Sequence, residues 1–235
     1  ALPISFDVIV IGGGHAGIEA AMASAKLGCK TMLMTMNLDT VGQMSCNPAI
    51  GGPAKSQLVK EIDALGGVMG ICADATYLQL KTLNASKGPA VQALRAQSDK
   101  TEYRNFARNL VESEPNLSLR QTSAMKIIIE QQDGKNTLTG VEDNMGILYP
   151  CKALVLANGT FLNGKLFIGE KVLSGGRSGE AAATGITADL IHLGIQTGRL
   201  KTGTPPRLDG RTIDYSNLEE HWGDSSAEAE QSYFS

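Results

Sequence analysis

The chain opens on an apolar run, Phe6-Asp7-Val8-Ile9-Val10-Ile11, that breaks into Gly12-Gly13-Gly14-His15-Ala16-Gly17 and resumes as an alanine-rich pattern of helical period. Together these read as a buried strand, a tight turn and a helix from about Ala16 to Leu27, with Gly28 as its stop. Cys29 to Met34 reads as a second, parallel strand. The stretch from Asn37 to Gly52, rich in Gly, Asn, Pro and Ser, reads as a long loop, and Lys55 to Leu65 returns to helical spacing. Gly88 to Leu110 predicts a second long helix starting soon after Gly88-Pro89.

Beyond it the period shortens. Leu117 to Leu119 and Ala124 to Glu130 read as strands, and Leu138 to Asn144 with Ile147 to Tyr149 as a hairpin through Asn144-Met145-Gly146. Ala153 to Leu156 has the apolar character of a buried strand. The expected fold is therefore α/β: a Rossmann-like domain with an inserted antiparallel β meander. From Arg199 the chain turns polar and proline-containing, Thr212 to Tyr215 can begin a strand, and Ser225 to Glu230 lacks a core-forming pattern. The expected division is residues 1–198 as the first domain and 199–235 as the start of another.

Composition narrows the class. Among 235 residues, 42% hydrophobic and 19% charged describe an ordinary globular chain. No apolar run approaches the roughly 18 residues that would cross a membrane. The four cysteines, Cys29, Cys46, Cys72 and Cys151, have neither CxxC nor Cys/His metal spacing, so no metal site or disulfide framework is expected, and the cytoplasm is the default compartment. A net charge of −3 gives no global reason to bind nucleic acid. Lys100, Arg104 and Arg108 make a local basic stripe at helical spacing, read first as a solvated face.

The glycine turn has the spacing of a dinucleotide fingerprint in its required strand–helix context. Gly12 permits the turn, Gly14 lets backbone approach a pyrophosphate, and Gly17 lets helix pack on strand. His15 and Ala16 lie inside it, where backbone matters more than side chain. The acid usually found after the second strand is replaced by Asn37, which can hydrogen-bond a ribose without charge; Asp39 is its rival. Cys46, in Gly42-Gln43-Met44-Ser45-Cys46-Asn47-Pro48-Ala49-Ile50-Gly51-Gly52, can be a redox thiol or nucleophile, or a small structural residue. Lys87 and Arg177, in two further glycine-containing loops, can face phosphate or simply solvent and an ion-pair partner.

Four motifs occur together and in order: Gly12 to Gly17, Met44 to Gly52, Asn84-Ala85-Ser86-Lys87-Gly88-Pro89-Ala90-Val91 and Lys201-Thr202-Gly203-Thr204-Pro205-Pro206-Arg207. This set resembles the MnmG (GidA) family of tRNA wobble-uridine modifying enzymes over nearly the whole chain. The resemblance implies an FAD-binding domain of the glutathione-reductase type followed by the start of an NADH-binding domain. It also implies NADH as reductant, methylenetetrahydrofolate as one-carbon donor, tRNA as substrate, an MnmE-type GTPase as partner, a homodimer and a cytoplasmic location. By the same resemblance Gly12, Gly13, Gly14, His15, Ala16 and Gly17 hold the FAD pyrophosphate and Asn37 its ribose. Ala124 would lie on the adenine side, Ala183 at another FAD contact, and Cys46 would be a catalytic thiol beside the flavin. Family members are much longer, with a further cysteine beyond Ser235, so the chain reads as an N-terminal part whose FAD site is incomplete and whose own affinity for FAD is expected to be weak or absent. Competing readings are the related folate- and FAD-dependent tRNA uridine methyltransferase, TrmFO, and a non-catalytic nucleotide-binding module.

Overall fold

The computed structural model describes residues 4–203, 205–225 and 233–235. In chain order the elements are β1 (Phe6–Ile11), α1 (His15–Lys26), β2 (Thr31–Thr35), β3 (Ala49–Gly51), α2 (Ser56–Ala64), α3 (Met69–Thr76), β4 (Tyr77–Leu83) and β5 (Ala93–Ser98). Then follow α4 (Lys100–Ser113), β6 (Leu117–Gln121), β7 (Ala124–Gln132), β8 (Lys135–Asp143), β9 (Leu148–Leu156), β10 (Lys165–Ile168), β11 (Lys171–Ser174) and α5 (Ile186–His192). They form two compact units, residues 1–43 with 107–198, and residues 44–106 with 199–235.

The first unit is built on one six-stranded sheet in the order β6-β2-β1-β9-β8-β7. Its β6, β2, β1 and β9 are parallel, whereas β7, β8 and the start of β9 form an antiparallel meander. This is the expected Rossmann-like α/β fold with an inserted meander. Phe6, Ile9, Ile11, Met32, Met34, Ile127, Val141, Tyr149 and Ile186 make its core. α1 buries Gly17, Ile18, Ala21, Met22 and Ala25, a stripe of helical period. It ends as a Schellman turn: Gly28 has φ +87, the Cys29 N–H donates to Ser24 O at 3.1 Å and the Gly28 N–H to Ala25 O at 2.9 Å.

The meander turn is fixed by a buried carboxylate. Asp143 accepts hydrogen bonds from Thr122 Oγ1 (2.8 Å), Tyr149 Oη (3.0 Å) and the Met145 and Ile147 amides (both 2.9 Å). Burial alone would raise its pKa, but these donors outweigh burial and hold it below the ordinary value. β9 departs from expectation in its second half, where Val155 and Leu156 are more than a third exposed. There β9 pairs with β1 on one edge, and among the described residues its pairing with β8 ends at Pro150.

The second unit holds a three-stranded antiparallel sheet, β3-β5-β4, with α2 and α3. The long helix expected from Gly88 to Leu110 is divided: a short 3-10 turn at Pro89–Val91, then β5, then α4. Pairing of β5 with both β3 and β4 overrides the helical propensity of its Ala, Leu, Arg and Gln residues. Asp99 then starts α4, its Oδ1 accepting from the Thr101 (2.8 Å) and Glu102 (3.0 Å) amides. Asn37 to Gly52 is less loop-like than expected, containing a 3-10 turn at Leu38–Thr40 and β3.

No strand forms at Thr212 to Tyr215. Asp209 accepts from the Arg211 amide and Asp214 from the Ser216 amide, which tightens the backbone into turns instead. Of the polar tail, residues 226–232 lie outside the described residues, as does Thr204. Phe234 beyond them is buried against Gly51 and Gly70, and Asp74 accepts the Phe234 and Ser235 amides at 3.1 and 2.8 Å. Among the described residues no helix is long and apolar enough to cross a membrane.

Candidate dinucleotide site and cysteine loop

In the first unit, the glycine turn sits at the C-terminal ends of β1 and β2, with the Gly12 amide on Met34 O and the Ala157 amide on Ile11 O, both at 2.8 Å. The three glycines of the fingerprint differ in what they do. At Gly12, φ is +114 and a Cβ would lie 2.3 Å from Ala157 O; at Gly17 a Cβ would lie 1.7 Å from Gly12 O. Those two are demanded by the fold. A Cβ on Gly14 would meet nothing within 4 Å, and its φ of −78 suits any residue. Glycine at 14 keeps a space open at a helix N-terminus.

That N-terminus is bare. No side chain caps α1, and its first turn holds no acid. The helical ladder begins with the Ile18 amide on Gly14 O at 2.9 Å, so it takes neither the Ala16 nor the Gly17 amide. Helix α4, by contrast, is capped by Asp99. Burial lowers the pKa of His15, so its imidazole is neutral near pH 7. Attraction for an anion here comes from amides and the helix dipole rather than from an imidazolium.

In the same unit, a cavity of about 410 Å³ is lined by Met36, Gln121 to Ser123, Met125, Asn144, Met145, Ala181, Ala182 and Thr184. Its lining includes the chain neighbours of three sequence-selected residues, Asn37, Ala124 and Ala183. Asn37 starts the 3-10 turn, with Oδ1 accepting the Asp39 amide at 2.9 Å, so its Nδ2 is the group left to donate. Asp39 is committed to Arg108 at 2.9 Å. Ala124 is buried at the head of β7. Ala183 donates its amide to Phe161 O and accepts from the Asn163 amide, so its own backbone groups serve the fold while its neighbours face the cavity. Sequence reasoning did not single out Met36, Gln121 or Met145, since four distant segments supply this lining.

In the second unit, Cys46 is half-buried in an irregular loop. Lys100 Nζ donates to Cys46 O at 3.1 Å, and Arg207 Nη2 to Ser45 O at 3.4 Å. Two members of the basic stripe are thus engaged within the chain, Lys100 here and Arg108 with Asp39 and Glu112. Arg177 pairs with Glu180 and lies over the Phe161 ring at 5.5 Å. Lys87 is exposed in the loop joining β4 and β5, not at a helix start. Cys151 is buried opposite Phe6, and loss of solvent pushes its thiol up to about 11.

A sequence profile of the family described as glucose inhibited division protein A matches residues 7–235. The chain belongs to that family. The chain is 53% identical over 214 residues to the tRNA uridine 5-carboxymethylaminomethyl modification enzyme MnmG of Synechocystis, covering 91% of this chain and 33% of that protein. The MnmG of Flavobacterium johnsoniae is 54% identical over 220 residues, covering 94% and 35%. The crystal structure of Aquifex aeolicus GidA superposes with a TM-score of 0.89 at 50% identity, covering 94% of this chain and 36% of that one. The chain thus spans about a third of the length of the MnmG relatives it matches.

Proposed function

We propose that this chain carries the dinucleotide-binding part of an FAD-dependent enzyme that modifies carbon 5 of the wobble uridine of tRNA. The reading extends to NADH as reductant, methylenetetrahydrofolate as one-carbon donor, an MnmE-type GTPase partner, a homodimer and a cytoplasmic location. What supports it most is Gly14: a glycine the fold does not need, at an uncapped helix N-terminus, inside a family whose named relatives are tRNA uridine modification enzymes.

The residues present fit FAD. Gly12 and Gly17 hold β1 and α1 close, Gly14 leaves room for the pyrophosphate, and the Ala16 and Gly17 amides point the positive end of α1 at it. Asn37 Nδ2 can donate to the adenosine ribose, while the apolar lining from Met36, Met125 and Ala182, near Ala124 and Ala183, suits an adenine. When bound, FAD supplies the hydride and electron chemistry, and the protein supplies binding and orientation.

Cys46 is the catalytic residue in this reading, its thiolate serving as nucleophile or its thiol as proton carrier toward the uridine ring or its one-carbon adduct. Testing it requires the full-length protein with its GTPase partner. Cys46→Ser should retain flavin and lose wobble-uridine modification, measured by mass spectrometry of tRNA nucleosides. Full modification with normal flavin content in that variant would remove Cys46 from the chemistry.

A further inference from the structure

Four consecutive peptide carbonyls around Cys46 each have a donor. Ser45 O takes Arg207 Nη2 (3.4 Å), Cys46 O takes Lys100 Nζ (3.1 Å), Asn47 O takes the Ala49 amide (2.8 Å) and Pro48 O takes the Ser98 amide (2.7 Å). The donors come from the loop's own exit at Ala49, from the β5–α4 junction and from the connector some 160 residues away, all within the second unit. Two of the four are full cations. Ser45 is exposed and Cys46 half-buried, so water could satisfy these oxygens at little cost. What Lys100 and Arg207 add, which water does not, is positive charge fixed on the backbone of the cysteine loop.

Among the described residues neither Lys100 nor Arg207 is in an ion pair. Of the acids close to them in sequence, Asp99 caps α4 and Asp209 pairs with Arg211 at 2.6 Å, while Glu102 forms no ion pair with either cation. Each cation uses a single donor on the loop, whereas an ammonium has three and a guanidinium five. We propose that Lys100 and Arg207 are positioning residues for Cys46, clamping the peptide carbonyls of Ser45 and Cys46 and giving the cysteine loop a fixed positive charge that draws anionic reaction partners such as RNA toward the thiol. This deepens the proposed function and rests on Cys46 being its reactive thiol.

The test is parallel alkylation of full-length protein with neutral iodoacetamide and anionic iodoacetate, the Cys46 peptide being quantified by mass spectrometry. Loop exposure affects both reagents alike, so the ratio of the two rates reports the field at the sulfur. Lys100→Met should lower the iodoacetate-to-iodoacetamide ratio by about threefold or more, Arg207→Met should lower it less, and Lys100→Arg should keep it. Raising salt from about 20 to about 500 mM should lower the wild-type ratio. An unchanged ratio in Lys100→Met, a loss that Lys100→Arg does not restore, or a salt-independent wild-type ratio overturns the proposal. If Lys100→Met does not fold, the wild-type salt series decides. Full tRNA modification by Cys46→Ser would remove the catalytic reading without touching this ratio, so the two failures are distinguishable.

Discussion

Two glycines in one fingerprint separate stability from binding. Gly17→Ala places a methyl 1.7 Å from Gly12 O, and should cost about 1–3 kcal/mol of stability or prevent folding. A Cβ on residue 14 meets open space, so the full-length Gly14→Val apoprotein should lose only about 1 kcal/mol, the cost of a poorer N-cap residue, while FAD affinity falls about tenfold or more. Asp143 carries a pH dependence. Its folded pKa lies below 3.8, so its contribution is complete above that value and is lost as pH falls through the folded pKa. Asp143→Asn should cost about 1–3 kcal/mol at pH 7 and flatten the acid limb of a denaturation series. With its pKa pushed up to about 11, Cys151 should resist alkylation at pH 8 in native protein and react only on unfolding.

At the scale of elements, the strand–turn–helix of β1 and α1 was legible because hydrophobic period, glycine spacing and helix stop agree locally. The meander was legible for the same reason, each strand bounded by its own turn residues. β5 was not: Ala93-Leu94-Arg95-Ala96-Gln97-Ser98 is a helix-prone string made a strand by partners on both edges, β3 and β4. Val155 and Leu156 show the converse, an apolar strand whose burial depends on neighbours rather than on its own pattern. The glycine cradle could be read from sequence, whereas the cavity and the donors to the cysteine loop converge from distant segments. Two elements can be tested directly. Asp99→Ala should cost about 1 kcal/mol by uncapping α4. Phe234→Ala, emptying the contact with Gly51 and Gly70, should cost about 3–5 kcal/mol by thermal or urea unfolding of the full-length protein.

For the whole molecule, the parts divide into a unit that carries the glycine turn and a unit that carries the cysteine loop. The first has an uncapped helix N-terminus, a glycine the fold does not need and a cavity lined by the neighbours of Asn37, Ala124 and Ala183, the three features on which the proposed dinucleotide site rests. The second supplies a thiol with two unpaired cations tied to its backbone. The central claim is that the Gly12 to Gly17 turn holds FAD. The decisive measurement is the flavin retained by full-length wild type and Gly14→Val after gel filtration, with unfolding of the two flavin-free proteins measured alongside. Stoichiometric flavin is expected in the wild type and its loss in Gly14→Val, with the two apoproteins within about 1 kcal/mol of each other in stability. Equal flavin in both proteins, or a wild type that takes up none when supplied with FAD, would contradict it.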